Sequence, residues 1–494
     1  MRARGLGLAA LAALALLLIV QAAAGVLNAP SFVWNEIRLA RSVALIHGYS
    51  LYLDKDALGP VTGTLHTPIS HCIYLGVTVF HNPTDLLIAG SLLTLLLVFV
   101  PLTWVLCRAG RGWLAPAVAF LFCAFLILQT PGVLHIATMI HTDAAGAAFA
   151  TLAGGVLCDP RRTINLPRTW LAGLGCVLAA GCKQTLAPVV LAVALFLAVA
   201  GGAKLLAHFA AAVAAAGAGS LAVIVALVPA RAFLFNTVTL AAHRPLKPGS
   251  IDILVRTFRD GKLDALPAVY PIVPLAACAW IAAGHHPGWR EFTRANRWLV
   301  FALCAAVLVP VTAKAMVTVG SDVNHVGFVH YFFLLAAGLA IAQYLQDSSH
   351  SLVRTVAWTC AALGILTSIA PGAVLSLPSR LRNLHDNPAE AALRYALRHP
   401  DQAYFPVNPL ATLLSTGKVY HVDYSIYDRE RVGYPLTQRQ FDSGLPPRFD
   451  IVAMPPGEVV RSAALRKLLK ACVTAADPEL PGWTVCSRAS VRAQ

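Results

Sequence analysis

Residues 34–60 read WNEIRLARSVALIHGYSLYLDKDALGP and follow a long apolar segment. On a helix over residues 33–47, at about 100° per residue, Glu36 falls in the middle of the apolar face, opposite Arg38 and Arg41. A helix lying on a membrane surface gains nothing from a carboxylate on that face. Glu36 therefore has a buried partner or points into a polar cavity, unless it only interacts with the helix dipole as a first-turn carboxylate.

The composition is that of a membrane protein. The chain has 494 residues, of which 57% are hydrophobic and 12% are charged, and its mean hydropathy is +0.68. A soluble protein of this length carries about 25% charged residues. We therefore predict a mainly α, polytopic membrane protein with about eleven spans, several of them shorter than the ~20 residues of a full span. The apolar segments lie near residues 6–26, 85–107, 113–130, 142–158, 170–182, 186–201, 205–229, 266–284, 298–316, 327–345 and 353–375.

The charges and cysteines exclude several classes of function. The net charge of +15 is spread over short loops and forms no basic stripe, which argues against nucleic-acid binding. Most of the eleven cysteines lie in apolar segments, and no C-x-x-C spacing points to a zinc or redox site. Cys472 and Cys486 lie in the polar tail, where they can pair if the tail is extracytoplasmic.

The topology depends on residues 170–201, which contain Lys183 in the sequence GCKQTLAP. Basic short loops near 107–113, 158–170 and 284–298 are typical of the cytoplasmic side, which places the loop 28–84 outside. A lysine costs less at a helix break near the interface than in the middle of a span. This favours two short helices over one long helix. With two helices the basic loop 231–265 and the tail also lie outside, whereas with one helix the loop and the tail lie inside. The N-terminal segment is read as an uncleaved first span, with a cleaved signal peptide as the alternative.

The composition changes near residue 378. We predict a transmembrane domain over 1–377 and a small α/β, extracytoplasmic domain over 378–494. The sequence AEAALRYALRH, within this tail, predicts a helix, and residues 401–428 alternate like strands with turns.

Polar residues recur at the ends of the apolar segments: His141, Thr142 and Asp143; Lys183 and Gln184; and Asp322, Asn324, His325 and His330. Individually, Asp143 has the position of a helix N-cap, and a histidine at the end of a span is ordinary at a membrane interface. In the two-helix topology, however, all these groups open to the outer side. We therefore expect a shared outer-facing cavity.

The sequence also resembles the GT-C membrane glycosyltransferases, which include the protein O-mannosyltransferases and the aminoarabinose transferases. In that superfamily an acidic residue opens an amphipathic helix, and an hG-x-x-lY-x-D segment and a Gly-Pro or Pro-rich stretch follow. Glu36, HGYSLYLD (His47–Asp54), Gly59-Pro60 and HTP (His66–Pro68) match these features, and HTDAAGAAFATLAG and GCKQTLAP resemble later family motifs. The chain departs from the pattern at Asn35, where many members carry aspartate.

The resemblance implies transfer of a sugar from a polyprenyl-phosphate carrier to a glycan, lipid or protein acceptor on the extracytoplasmic side of a cell membrane. It implies Glu36 as the base and a catalytic role for Asp143, which orients hydroxyl groups or helps to bind a divalent cation. No cofactor is certain. The remaining site residues that we expect are Lys183, Arg244 and Lys247 at the donor phosphate, and His66, Gln184, Asn324 and His325 at the substrates.

Two other classes of function stay open. A secondary transporter would place ionisable residues near the bilayer midplane and would show paired halves. A non-enzymatic scaffold would depend on its C-terminal domain instead of on Glu36 and Asp143. The sequence DKD at Asp54–Asp56 also resembles the metal-binding motif of nucleotide-sugar enzymes, although three residues are a weak signal.

Overall fold

A computed structural model describes residues 2–110, 112–250, 252, 271–282, 288–320, 324–346 and 351–487. In chain order its α-helices are α1 Arg2–Leu27, α2 Val33–Ile46, α3 Ile69–Cys72, α4 Pro83–Ala109, α5 Leu114–Gln129, α6 Pro131–Thr138, α7 Thr142–Gly155, α8 Leu166–Cys182, α9 Val189–Ala200, α10 Ala203–Leu227, α11 Ala230–Leu234, α12 Leu240–Ala242, α13 Ile272–Ala282, α14 Trp289–Ala295, α15 Leu299–Met316, α16 Asn324–Tyr344, α17 Ser351–Thr367, α18 Pro371–Arg382, α19 Pro388–Arg398, α20 Pro409–Thr416, α21 Asp423–Glu430, α22 Gln438–Ser443 and α23 Ala463–Lys470. Short 3-10 segments cover Ala29–Ser31, Ile73–Val79 and Gln184–Leu186, and a π-helical turn covers Phe235–Thr239.

The helices confirm a polytopic membrane protein. Among the described residues, five helices are long and apolar enough to span a bilayer, or seven if each of two bent helix pairs counts as one span. The five are Gly7–Ser31, Pro83–Ala109, Ala203–Leu227, Leu299–Met316 and Asn324–Tyr344. The predicted number of about eleven is not confirmed, because several apolar segments form helices of only 10–17 residues.

The predicted break within residues 170–201 is confirmed. Helix α8 ends at Cys182, Lys183 has extended backbone angles, and α9 begins at Val189 after a 3-10 turn. A second interruption separates α5 from α6, which are bent by 98° at Thr130. Pro131 occupies the first turn of α6, where its missing N–H costs no hydrogen bond.

The chain divides into two compact units. The first comprises Met1–Val26, Thr94–Leu221 and Leu246–Leu377, and the second comprises Leu27–Leu93, Ala222–Pro245 and Pro378–Gln494. The last segment of the second unit begins at Pro378, where we predicted the start of the tail domain, but this unit also includes two earlier segments. The predicted boundary between transmembrane and tail domains stays a prediction.

The core of the first unit surrounds α16, which is buried along most of its length and packs against α5, α6 and α15. Helices α7 and α8 pack along each other, and the small alanine and glycine residues of α7 leave room for this close approach. This packing fixes the first turn of α7 against the break between α8 and α9.

The tail contains a small mixed sheet beside helices, which confirms the predicted α/β class. Its strands are β1 Ala403–Tyr404, β2 Ile451–Met454, β3 Val473–Ala475 and β4 Thr484–Ser487. Their order is β1-β2-β4-β3. Strand β1 pairs with β2 in parallel, whereas β2–β4 and β3–β4 are antiparallel.

Helix α19 confirms the helix predicted from AEAALRYALRH. The prediction that residues 401–428 form strands with turns was wrong, because only β1 is a strand there and α20 and α21 fill most of the rest. Helix α20 has proline in its first turn and is capped at its C-terminal end by Gly417, whose left-handed backbone (φ 70°) favours glycine. These start and stop signals outweighed the alternation of side chains.

The structure gives partners to the two tail cysteines and to the aspartates of the DKD motif. Cys472, directly before β3, and Cys486, in β4, form a disulfide. In the DKD motif, Asp54 and Asp56 each form an ion pair with Arg231, at 3.1 and 3.2 Å. The motif is thus engaged by an arginine.

Candidate functional site

Asp143 is the centre of a buried polar cluster in the first unit. Its Oδ1 lies 2.7 Å from both Lys183 Nζ and His141 Nδ1, and its Oδ2 accepts a hydrogen bond of 2.5 Å from Asn324 Nδ2. Asp143 and Lys183 have side-chain exposures of 0% and 4%. Lysine and aspartate are almost never fully buried unless they are paired, so each stabilises the charged form of the other here.

Three separate helix ends supply this Asp143 cluster. Asp143 lies in the first turn of α7, where the N-terminal dipole favours a carboxylate. Lys183 lies at the break after α8, and Asn324 is the first residue of α16. The expected grouping of Asp143, Lys183 and Asn324 is therefore present in the structure.

Two glycines permit the close approach of these helices. A Cβ atom added to Gly146 of α7 would lie 2.6 Å from Leu186 Cδ1 and 3.4 Å from Lys183 Cβ. A Cβ atom added to Gly327 of α16 would lie 2.2 Å from the carbonyl oxygen of Gly132 in α6. The second contact involves backbone, so α16 would have to move away.

We expect Gly327→Ala to destabilise the protein by about 1–3 kcal/mol, because the added methyl group overpacks a helix contact. The matched control is Gly217→Ala in α10, where an added Cβ has no atom within 4 Å. Thermal unfolding of the purified protein in detergent measures both variants. Equal midpoints for the two variants would show that the α6–α16 contact does not constrain the fold.

Glu36 has a buried partner, which is the first of the alternatives considered from the sequence. Its Oε2 accepts a hydrogen bond of 2.6 Å from Asn408 Nδ2, and its Oε1 accepts one of 3.1 Å from the Leu410 N–H in the first turn of α20. The residue is 1% exposed. Burial raises the pKa of Glu36 from 4.5 to about 8, although both hydrogen bonds act in the opposite direction.

A second cluster of charged residues lies in the second unit, and we name it the arginine cluster: Arg41, Arg244, Asp428 and Arg431. The Asp428 carboxylate lies 2.6 Å from Arg431 Nη2 and 3.6 Å from Arg244 Nη2. It also interacts electrostatically with Arg41, and burial, followed by the neighbouring Arg38, lowers the pKa of Arg41 to about 10. Several positive groups thus share one carboxylate.

The remaining predicted residues have diverse surroundings. The His66 main chain bonds with Tyr52 and Thr64, Gln184 is exposed, and the His325 carbonyl accepts a hydrogen bond from Thr312. The Lys247 ammonium donates to the Met316 carbonyl at 2.8 Å. Asp322 lies outside the described residues.

The predicted site residues thus divide between the units. Asp143, Lys183, Gln184, Lys247, Asn324 and His325 belong to the first unit, and Glu36, His66 and Arg244 belong to the second. Asn408, Asp428 and Arg431 were not predicted from the sequence. The alternating acidic and basic residues DRER at 428–431 are the one sequence signal that could have indicated Asp428 and Arg431.

Within the described part of the chain, no group of three or more His, Cys, Asp or Glu side chains is arranged to hold a metal ion. A requirement for a divalent cation therefore stays a prediction.

No protein-family model and no curated protein matches the sequence. Among solved structures, the chain is similar to ArnT from Cupriavidus metallidurans. It matches the form bound to undecaprenyl phosphate with 12% identity, a TM-score of 0.55 and 96% coverage of both chains. The apo form gives 13% identity, a TM-score of 0.56 and 99% coverage of both chains.

The chain also matches an oligosaccharyltransferase from Archaeoglobus fulgidus, with 10% identity, a TM-score of 0.43, and coverage of 89% of this chain and 67% of that one. The likeness to ArnT extends over nearly the whole of both chains and shows the fold. The resemblance noted from the sequence is confirmed at the level of the fold, which the chain shares with ArnT.

Proposed function

We propose that this protein is an integral membrane glycosyltransferase that moves a sugar from a polyprenyl-phosphate carrier to an acceptor on the extracytoplasmic side. One observation carries the proposal: the fold matches, over nearly the full length of both chains, that of ArnT, whose structure was solved with bound undecaprenyl phosphate. The buried acidic and basic groups described above supply chemistry that such a transfer needs.

The reaction exchanges one bond at the anomeric carbon for another and transfers one proton. The acceptor hydroxyl oxygen attacks the anomeric carbon of the sugar, and the bond from this carbon to the phosphate oxygen breaks. The hydroxyl proton passes to a carboxylate, and polyprenyl phosphate leaves with the bonding electrons. The products are the glycosylated acceptor and the carrier monophosphate.

We assign the base to Glu36. A general base works best when its pKa lies near the working pH, and burial moves the pKa of Glu36 to about 8. Both carboxylate oxygens are bonded to the tail. In this assignment the acceptor hydroxyl therefore replaces Asn408 or Leu410 as the partner of one oxygen.

We assign the donor phosphate chiefly to Arg244. A guanidinium group binds phosphate oxygens with two parallel hydrogen bonds and opposes the charge that develops as the carrier leaves. Lys183 is already neutralised by Asp143 within the first unit, so the role we propose for it is to hold Asp143 in position. Lys247 remains a further candidate for the phosphate.

The extracytoplasmic side is supported by the Cys472–Cys486 disulfide in the second unit. Disulfides persist in oxidising compartments and are rare where thiols are kept reduced. Cysteine accessibility labelling of intact cells tests the side. A cysteine placed at exposed Arg448 is expected to react with a membrane-impermeant maleimide, and one placed at Arg162, in a basic loop, is not. The reverse pattern would contradict the assignment.

Comparison of glycans tests the function. A strain lacking this gene is expected to lose one sugar from a surface glycan and to accumulate the corresponding polyprenyl-phosphate sugar, and the wild-type gene is expected to restore both. Mass spectrometry of lipid extracts and surface glycans provides the measurement. Unchanged lipids and glycans in a deletion strain that shows another phenotype would favour transport or a scaffold.

A further inference from the structure

An apolar groove of about 440 Å³ lies between α8 and α10 in the first unit. Four residues of α8 and two of α10 line it: Pro167, Trp170, Leu171, Leu174, Ala212 and Ala216. The four α8 residues stand at positions i, i+3, i+4 and i+7, which puts them on one face of that helix. Over these residues α8 rises by about 10 Å. The groove is therefore two helical turns long.

The groove opens towards the bilayer. Its large side chains stay accessible, with Trp170, Leu171 and Leu174 at 43%, 54% and 43% exposure. Helix α10 is long and apolar enough to span a membrane, and few of its residues are buried within the protein. At Ala212 the two helices touch, because a Cβ atom added to Gly173 would lie 2.7 Å from Ala212 Cβ. Hydrocarbon can thus enter the groove from the side but cannot pass between the helices at this point.

Arginines surround the end of the groove at which α8 begins. We name four of them the loop arginines: Arg108, Arg161, Arg162 and Arg168. Arg168 lies in the first turn of α8, between two groove residues, and interacts electrostatically with Arg162 and Arg108. The Arg161 guanidinium donates to the Arg108 carbonyl at 3.1 Å. This hydrogen bond holds the loop before α8 beside the end of α4.

The loop arginines keep a net positive charge after pairing. Asp159 lies 3.9 Å from Arg161 Nε and 3.4 Å from Arg162 Nε, and it also interacts with Arg168. Four positive charges and one negative charge leave three positive charges. The side chains of Arg161 and Arg162 are 46% and 64% exposed, so an anion can reach them. A ligand that fits this arrangement has an apolar chain and an anionic head.

We propose that the groove and the loop arginines together bind one anionic phospholipid. An acyl chain occupies the groove, and the phosphate lies against Arg168 and Arg162. Guanidinium groups suit phosphate because they donate two parallel hydrogen bonds. The net positive charge favours a lipid with a net negative head over a zwitterionic one. In the topology proposed from the sequence this end of α8 faces the cytoplasm, and basic pockets between helices on that side are typical sites for anionic lipids.

This site is separate from the residues assigned to the reaction and does not depend on the proposed function. All of its residues belong to the first unit. Helix α8 begins at Leu166, beside the loop arginines, and reaches the break at Lys183 only at its other end. A lipid bound here ties the first turn of α8 to the neighbouring loop and so steadies the helix that positions Lys183.

Native mass spectrometry of the full-length, delipidated protein in detergent tests the inference. The probes are phosphatidylglycerol, which is anionic, and phosphatidylcholine, which is zwitterionic, with identical acyl chains. The wild type is expected to bind the first phosphatidylglycerol about tenfold more tightly than the first phosphatidylcholine, as one charge-assisted hydrogen bond would give.

Two variants address the two parts of the site. Arg168→Gln is expected to weaken phosphatidylglycerol binding by about tenfold and to bring the two affinities close together. Ala216→Phe fills the groove and is expected to weaken binding of both lipids by about tenfold, because contact with the acyl chain is lost. The matched controls are Arg354→Gln and Ala214→Phe, at exposed positions of the same unit. Both should bind the lipids as the wild type does.

Several outcomes would overturn the inference. Equal binding of the two lipids by the wild type would show only boundary lipid, and a preference kept by folded Arg168→Gln would remove the role of the loop arginines. If Arg168→Gln does not fold, Ala216→Phe decides, and unchanged phosphatidylglycerol binding contradicts the site. If undecaprenyl phosphate binds the wild type more tightly than phosphatidylglycerol, and Ala216→Phe abolishes that binding, the groove holds the carrier and the phospholipid site is wrong.

Discussion

Lys183→Met is expected to destabilise the protein by about 3–5 kcal/mol, because it removes one partner of a buried ion pair and leaves the other charge without it. The Asp143 carboxylate is fully buried and lies 2.7 Å from the lysine ammonium. In the variant only His141 and Asn324 remain beside it. Asn324 is uncharged, and an imidazole binds a proton less tightly than an amine does.

The double variant Asp143→Asn, Lys183→Met is the control for this first prediction. It removes both charges and keeps the shapes of the side chains, so it should recover most of the lost stability. Thermal unfolding in detergent, with Arg448→Gln as a surface control, provides the measurement. A double variant as unstable as the sum of the two single variants would show that the pair does not act as a unit.

Glu36→Gln is expected to change how the stability of the protein depends on pH. The Glu36 pKa is raised from 4.5 to about 8 in the folded protein. The folded state therefore holds this proton more tightly than the unfolded chain does. The resulting stability is fully present below pH 4.5 and is lost as the pH rises towards 8. Each pH unit in this window corresponds to about 1.4 kcal/mol for one such group.

Glutamine has the same shape and no proton to lose, so this pH-dependent part is absent in the variant. At pH 5 the two proteins should unfold at similar temperatures, and at pH 8 the glutamine variant should be the more stable. The Asn408 side chain can accommodate it, because its buried Oδ1 has no hydrogen-bond partner among the described residues and can accept from the new amide after rotation. Parallel stability curves for wild type and variant would contradict the raised pKa.

Glu36→Ala separates the structural role of this residue from its charge. It leaves Asn408 Nδ2 and the Leu410 N–H buried without their acceptors. Each such loss costs about 1–3 kcal/mol. The alanine variant should therefore be less stable than the glutamine variant at every pH between 5 and 8.

Local patterns in the sequence predicted local structure well. The 3.6-residue period of residues 33–47 predicted α2, which spans Val33–Ile46, and the position of Glu36 on its apolar face predicted that the carboxylate would be buried or face a cavity. The cost of a lysine within a bilayer predicted the break at Lys183. Both arguments need only neighbouring residues and the properties of the membrane.

Contacts between distant residues were not predictable in this way. The partner of Glu36 is Asn408, 372 positions away, and nothing near either residue identifies the other. Residues 38 and 41 were placed on the polar face of α2, but only the fold brings Arg41 near Asp428. The helices α20 and α21 were read as strands because short segments show alternation and helical spacing almost equally.

The central claim is carboxylate-assisted transfer from a polyprenyl-phosphate sugar, and a turnover measurement tests it most directly. Lipid extract and acceptor membranes, both from the deletion strain, would be incorporated into liposomes with purified wild-type protein or Glu36→Gln, and released polyprenyl monophosphate would be followed by mass spectrometry. The wild type should release it, and the folded glutamine variant should do so roughly 10²–10⁴ times more slowly. Equal release by both proteins would contradict the role of Glu36, and no release by the wild type would contradict the reaction itself.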